Sequence, residues 1–478
     1  MEQSKFIIAL QKLPEPYLEQ YKAFLRSPYF NTRNDVIRFV DLVLDAKTPL
    51  SKEALYKKMY PGKPFDDRRV PDLMYRALKL LERFLEEEQY RTQDWQRKLN
   101  LLNIIAVNDL DMIRSVVLAE IETLSREKPL RDSAYFYEEF LYQTEADKMF
   151  LSRSKIQDDQ SLQKKVDQLD LFYLSAKLRD SCEMMNRKRI VAASYEFHLL
   201  DSLMKAIEAD MDQYAQYPAI ILYYRIMLML NDPENPGHFF QLKDEVHQNI
   251  HLFAQDEQRS LYGYLQNYCI RRVNSGRTEF YAELLDIYRY MMGIGLMDEQ
   301  NKNLQWDLKN MVSIALRLGE HDWTYRTIQS LKPFLPEETR ENAYTYNLAN
   351  YYYETQDYKR ATRLLQSVEF SEVYYNLDSK VMLLKIYFEQ EEEEVFYAHA
   401  NALTAYLTRN KLISKDTATI YGNMTKFARK AFVFKTQPPY QIRRKQKNIL
   451  ALREKILATQ QVGNVSWLVR EVDRMVEG

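Results

Sequence analysis

The sequence predicts an all-α protein in which helical hairpins stack into an elongated α-solenoid, flanked by an N-terminal helical bundle and a short helical C-terminal tail. Three observations carry this expectation. From Trp95 to Phe434 apolar residues recur at helical spacing almost without a break, and no apolar–polar alternation persists long enough for a strand. Glycine is scarce, 10 in 478 residues, and sits at turns, which disfavours a doubly wound sheet with Gly-rich phosphate loops. A chain of this length exceeds one compact core, and a solenoid escapes that limit because each hairpin needs only its neighbours.

Residues 1–91 read as a separate bundle that seals the first hairpin. Pro14 and Pro16 suit a helix start. The helix through Tyr21, Phe24 and Leu25 stops at Ser27, because Pro28 disfavours helical geometry in the residue before it. Ser51 caps a helix running to Tyr60, Pro61-Gly62-Lys63-Pro64 breaks it, and Asp66 or Asp67 opens a long helix ending near Tyr90. That long helix carries Arg68, Arg69, Arg76, Lys79 and Arg83, as a DNA-reading helix would. Its length and the acids Asp72, Glu82, Glu86, Glu87 and Glu88 set negative charge against phosphate, so a capping role is expected instead. Residues 92–435 read as roughly ten hairpins of about 35 residues. Turns fall at Asn108-Asp109, Lys128-Pro129, 231–237, Ser275-Gly276 and Lys332-Pro333. Leu169, Phe172, Tyr173 and Ala176 are expected to form one inner stripe, and Tyr195, Leu199, Leu203 and Ile207 another.

The best-defined unit is 341–368. Leu348, Ala349, Tyr352 and Tyr353 lie on one side of a first helix, and Tyr358, Ala361, Leu364 and Leu365 on one side of a second. The two meet at Thr355-Gln356-Asp357, where Asp357 caps the second helix. Small Ala349 and Ala361 let the pair approach closely. This pattern resembles the tetratricopeptide repeat: Leu348-Ala349 stands for its Leu-Gly pair, Tyr352 follows three residues on, and Ala361 and Leu365 match its later Ala and Phe. Thr345 stands where Trp is usual and Val373 where Pro is usual. Neighbouring units are weaker. Asp322-Trp323 lies 35 residues before Asp357-Tyr358, preceded by Leu308, Met311, Val312 and Ala315. On the far side Val381, Leu384, Lys385 and Phe388 open a hairpin expected to close around Ala398 and Ala402. The resemblance implies a right-handed α-α solenoid whose ligands lie along the concave face made by the first helix of each hairpin. Tyr346, Asn350 and Tyr353 would form that face here, and Lys385 and Phe388 would extend it. Asn350 matches the asparagine with which such repeats hold a peptide backbone. One turn earlier stands Tyr346 rather than a lysine, so the expected ligand is an extended or helical peptide with apolar anchors rather than a terminal carboxylate.

Residues 436–478 form a basic helical tail. Between Lys426 and Lys455 there are ten Lys or Arg against the single acid Glu454, a local balance of +9, within a molecule of net charge −1. Lys426, Arg429, Lys430, Arg443, Arg444, Lys445 and Lys447 define the patch, and Phe427, Phe432, Phe434 and Tyr440 interleave it as stacking partners for bases. The competing reading pairs the patch with the acidic run Glu391 to Glu394, in the same or another molecule. The segment around Trp467, Leu468 and Val469 is apolar enough to dock back onto the last hairpin.

Catalytic and metal-binding patterns are absent from the sequence. His247 and His251 are one turn apart but lack the Glu of a zincin motif. Gly293-Ile-Gly295 has no strand before it and reads as a helix C-cap. The two cysteines, Cys182 and Cys269, stand alone within helical patterns, as thiols of a reducing compartment do. The N-terminus lacks a secretory signal pattern, and the most apolar window, 217–230, holds Arg225 and is too short to span a bilayer. The expectation is a cytoplasmic, non-catalytic scaffold with no cofactor, no metal and no membrane partner, binding another protein or peptide on the concave face. The alternative is nucleic-acid binding through the basic tail and the N-terminal bundle.

Overall fold

The computed structural model describes the chain except for residues 1–3, 47–49, 109, 153–159, 191–193, 368–372, 439, 442–444 and 478. It is all-helical, 79% helix, with no strand among the described residues. The chain divides into two compact units, Met1–Lys177 and Leu178–Gly478. The boundaries expected at 91 and 435 fall inside these units, at the ends of helices α5 and α22 defined below.

The first unit begins with α1 (Lys5–Lys12), α2 (Glu15–Arg26), α3 (Asn34–Leu44), α4 (Lys52–Met59) and α5 (Arg69–Arg91) around one core that includes Phe6, Tyr21, Phe39, Leu73 and Phe84. Helix α2 ends at Arg26 with Ser27 extended behind it, and the Ser51 hydroxyl accepts the Ala54 N–H at 3.1 Å, as the local sequence dictates. Tyr21 donates its hydroxyl to the Ala77 carbonyl at 2.7 Å, tying α2 to α5. On α5, Arg76 pairs with Asp72 and Lys79 with Glu82, so these cations are already engaged. Helices α6 (Asp94–Val107) and α7 (Asp111–Glu127) enclose a second cluster of Trp95, Leu99, Ile105 and Ile121, followed by α8 (Ser133–Ser152). The division between units falls within α9 (Ser161–Ile190). Its stripe is phased differently from the sequence reading: Leu169 and Tyr173 are exposed, while Leu171, Leu174 and Leu178 are buried.

The second unit continues with α10 (Leu200–Ala209), α11 (Met211–Tyr214), α12 (Pro218–Asn231), α13 (Pro236–Asn249), α14 (Gln255–Asn274) and α15 (Phe280–Gly293). Leu199 was expected inside α10. It lies before it in a left-handed conformation (φ 63°) and is exposed, so the buried stripe is Leu200, Leu203 and Ile207. Then come α16 (Leu304–Arg317), α17 (His321–Leu331), α18 (Arg340–Glu354), α19 (Tyr358–Ser367), α20 (Val373–Glu389), α21 (Glu393–Arg409) and α22 (Lys415–Lys435). Helices α23 (Gln446–Ala458) and α24 (Val465–Glu477) end the chain. Successive helices pack as pairs, α14 with α15, α16 with α17, α18 with α19 and α20 with α21. In addition α16 packs on α18 and α18 on α20, so these three form an inner row. Both α23 and α24 pack on α22.

One turn recurs behind α14, α16, α18 and α20, and the same turn also ends α15 at Gly295. A residue with positive φ (Gly276, Gly319, Gln356, Glu391) is followed by an N–H that reaches back over the helix end. The bonds are Arg277 to the Arg272 carbonyl (3.0 Å), Glu320 to Ala315 (2.9 Å), Asp357 to Tyr352 (2.8 Å) and Glu392 to Tyr387 (3.1 Å). This closes orphaned carbonyls and reverses the chain. Two of the four positions carry Gln and Glu rather than the usual glycine, which hides the repeat from a composition-based reading. Asp357 then caps α19, accepting the Arg360 N–H at 3.1 Å. In α21 the buried small face is Ala400 with Phe396 and Leu403. Ala398 and Ala402, expected there, are exposed.

Candidate functional site

Tyr346, Asn350 and Tyr353 recur at steps of four and three along α18, and that spacing sets them on one helical face. The structure brings all three together with Lys385 in the wall of one pocket of about 460 Å³. Helix α16 contributes Arg317, α20 contributes Asp378, α22 contributes Tyr421, and α24 contributes Arg470. The pocket therefore opens on the inner row of helices, and the C-terminal helix closes one side of it.

Phe388 is a correction: it is fully buried, packed against Phe396, Phe432 and Trp467, and offers nothing to a partner. Tyr346 is only 7% exposed, with its ring edge-on to Tyr375 at 5.3 Å, so it is a wall of the core as well as of the pocket. The expected apolar anchoring is not what the lining offers. Arg317, Lys385, Arg470, Asp378 and Glu354 make it polar and charged.

Those charges are unequally satisfied. Asp378 takes an ion pair from Lys309, whose ammonium lies 5.4 Å from the Tyr346 ring centre. Arg470 lies 3.5 Å from both Glu389 and Glu471. Arg317 donates to the Tyr281 hydroxyl and lies over that ring, and among the described residues no carboxylate pairs with it. Lys385 is also without a carboxylate partner among the described residues. Its ammonium sits 5.8 Å from the Tyr353 ring and 5.7 Å from the Trp467 ring. Burial brings the Lys385 ammonium down to about 8. The neighbouring Arg470 charge acts in the same direction, against the pull of Glu354 and Glu389. The Asn350 amide makes no hydrogen bond among the described residues. An unpaired ammonium, a guanidinium and a free amide thus face one cavity, an arrangement suited to carbonyl oxygens and a negative group.

Glu389 is a residue that the sequence does not single out, standing just before the acidic run Glu391–Glu394. Its side chain is 8% exposed and gathers the C-terminal helix onto the inner row. It accepts from the Tyr353 hydroxyl, from Tyr358 at 2.6 Å and from the Trp467 indole at 2.7 Å. Burial pushes its carboxyl up, but these hydrogen bonds and Arg470 outweigh it and hold the group below the usual range. The signal in the sequence was an acid one turn after Lys385 at the end of an otherwise apolar stripe.

The basic patch is dispersed. Lys426, Lys430 and Lys447 are exposed; Arg429 donates to Asn401 at 2.7 Å and Lys445 to Gln437 at 3.1 Å; Arg443 and Arg444 fall outside the described residues. Phe427 and Phe432 are buried, and Phe432 stacks on Phe396 at 4.1 Å, so neither is free to stack on a base. Among the described residues no ion pair joins the patch to Glu391–Glu394. His247 stacks on Tyr290 at 4.0 Å, and no group of three or more His, Cys, Asp or Glu among the described residues is placed to hold a metal ion. The Gly295 N–H and the Leu296 N–H bond back to Met292 and Met291, which makes Gly293-Ile-Gly295 a helix C-cap. No described helix is long and apolar enough to cross a membrane. No known protein family, curated protein sequence or solved structure matches this chain.

Proposed function

We propose that this chain is a non-catalytic, cytoplasmic binding protein that holds a segment of another protein against the inner row of helices α16, α18 and α20. The supporting observation is the pocket itself. Four residues picked from the sequence for a peptide-holding face (Tyr346, Asn350, Tyr353 and Lys385) converge on it, and among the described residues the Asn350 amide makes no hydrogen bond and neither Lys385 nor Arg317 has a carboxylate partner. We read the chain as a right-handed, tetratricopeptide-like stack over residues 92–435, with 1–91 as a cap and 436–478 as a tail; the support for it lies in α14 to α21, where the helices pair, α16, α18 and α20 form a row, and one turn recurs. Two buried free cysteines are in keeping with a reducing compartment. The bound segment is read as extended or helical, gripped through its backbone by Asn350 and through an acidic or carbonyl group by Lys385 and Arg317.

The test starts with affinity capture of the intact protein from its host and identification of what is retained. Binding of that partner is then measured with Asn350→Ala plus Arg317→Ala, both on the pocket rim rather than in the core. A loss of one to several kcal/mol is expected, with the fold intact by circular dichroism. A partner that binds this double variant as well as wild type removes the pocket from the function.

A further inference from the structure

We propose that the groove between α22 and α23 is a docking site for an amphipathic helix that carries acidic residues beside its apolar face. The site is separate from the pocket above and rests on different residues. Val433 and Phe434 on α22 face Ala451 and Leu452 on α23 across a shallow cavity of about 380 Å³. Along α23, Asn448, Ala451, Leu452 and Lys455 lie at steps of three, one and three, which puts them in one row along the groove. Val433 and Ala451 are exposed, so this apolar floor stands open to solvent. Lys430 and Lys455 stand at its edges, no acid lines it, and among the described residues neither lysine has an ion pair. Lys426 and Lys447, also exposed, extend the positive rim.

The charge pattern selects the occupant. An apolar floor with cationic edges is complementary to a helix whose apolar side chains enter the groove while flanking carboxylates meet the lysines. Nucleic acid is the poorer fit. Phosphates need cations, but bases need exposed aromatic faces: Phe427 and Phe432 are buried in the core, Phe434 in the groove is half-buried, and the exposed Tyr440 lies outside the groove lining. Among the described residues no ion pair joins the acidic run Glu391–Glu394 of the same chain to Lys426, Lys430, Lys447 or Lys455, all of which are exposed.

The test uses the full chain and fluorescence anisotropy at two salt concentrations. The probes are a labelled helical peptide with Leu at i, i+3, i+4 and i+7 and Glu beside them, its twin with Lys for Glu, and a single-stranded oligothymidylate. The acidic peptide is expected to bind, more weakly at high salt, and the lysine twin not to bind. Lys430→Glu with Lys455→Glu should weaken binding about tenfold or more, and so should Ala451→Trp, which fills the floor. All three positions are exposed, and a thermal melt checks that each variant folds. Failure of the acidic peptide to bind overturns the proposal, as does binding that survives Ala451→Trp. Binding of the oligothymidylate alone, lost in the double lysine variant, would make the surface a nucleic-acid site.

Discussion

Replacing Glu389 by Ala should loosen the C-terminal helix specifically. The carboxylate is the common acceptor for Tyr353, Tyr358, Trp467 and Arg470. Tyr353 and Trp467 are buried, so each becomes an unpaired donor at about 1–3 kcal/mol. Tyr358 is half-buried and recovers water, and the Arg470 contact, at 3.5 Å and 44% exposed, is worth about 0–1 kcal/mol. Relief of the buried carboxylate's own desolvation offsets part of the loss, leaving a net cost of about 2–4 kcal/mol. Glu389→Gln keeps an acceptor but loses the charge, at about 1–2 kcal/mol. Hydrogen exchange read on peptides covering Val465–Glu477 is the direct assay, because it reports opening of α24 rather than of the whole chain. A 2 kcal/mol loss raises exchange about 30-fold there. The pH dependence has a defined sign. The Glu389 carboxyl is held below its ordinary 4.5, so its contribution is fully present above that value and is lost as pH falls through the lowered one. The gap between wild type and Glu389→Gln should therefore close on acidification. Wild-type exchange of α24 in Glu389→Ala refutes the idea that this residue holds the helix.

Two further outcomes follow from the same geometry. Lys385→Met should raise stability at pH 7 by about 1–2 kcal/mol, since it removes a buried ammonium without a carboxylate partner. Because Lys385 loses its proton near 8 in the folded state and near 10.5 unfolded, its burial penalty is full below 8 and is relieved as pH rises through that window. Melts of both proteins at pH 7 and pH 10 should show the difference shrinking, and a pH-independent difference contradicts the assignment. Ala361→Leu has no room, Ala361 being fully buried between α18 and α19, and should cost about 1–3 kcal/mol. Tyr351→Ala, at a half-exposed position with ring contacts to Tyr325 at 5.4 Å and to its neighbour Tyr352 at 5.5 Å, should cost clearly less, and melts ranked the other way would misplace the faces of this hairpin.

The sequence alone determined what short-range forces decide. Ser51 and Asp357 cap the helices they precede, Pro28 ends α2, and the steps among Leu308, Met311, Val312 and Ala315 set a buried stripe, because each depends on groups within one or two turns. The Tyr346–Asn350–Tyr353 face was legible for the same reason. Phase failed where a helix is packed on several sides. Ten residues of α20 are buried, so a 3.6-residue pattern no longer tells wall from core, and Phe388 passed for a surface residue. In α21, which buries the single face of Phe396, Ala400, Leu403 and Leu407, alanines at 398, 400 and 402 offer competing phases, and the larger Phe396 and Leu403 decide for Ala400. Only the tertiary structure decided that Glu389 binds Trp467 across 78 residues, and that Lys385 and Arg317 share a cavity without carboxylate partners. Those contacts join helices distant in sequence, and the strength of a buried charge depends on which groups packing brings beside it.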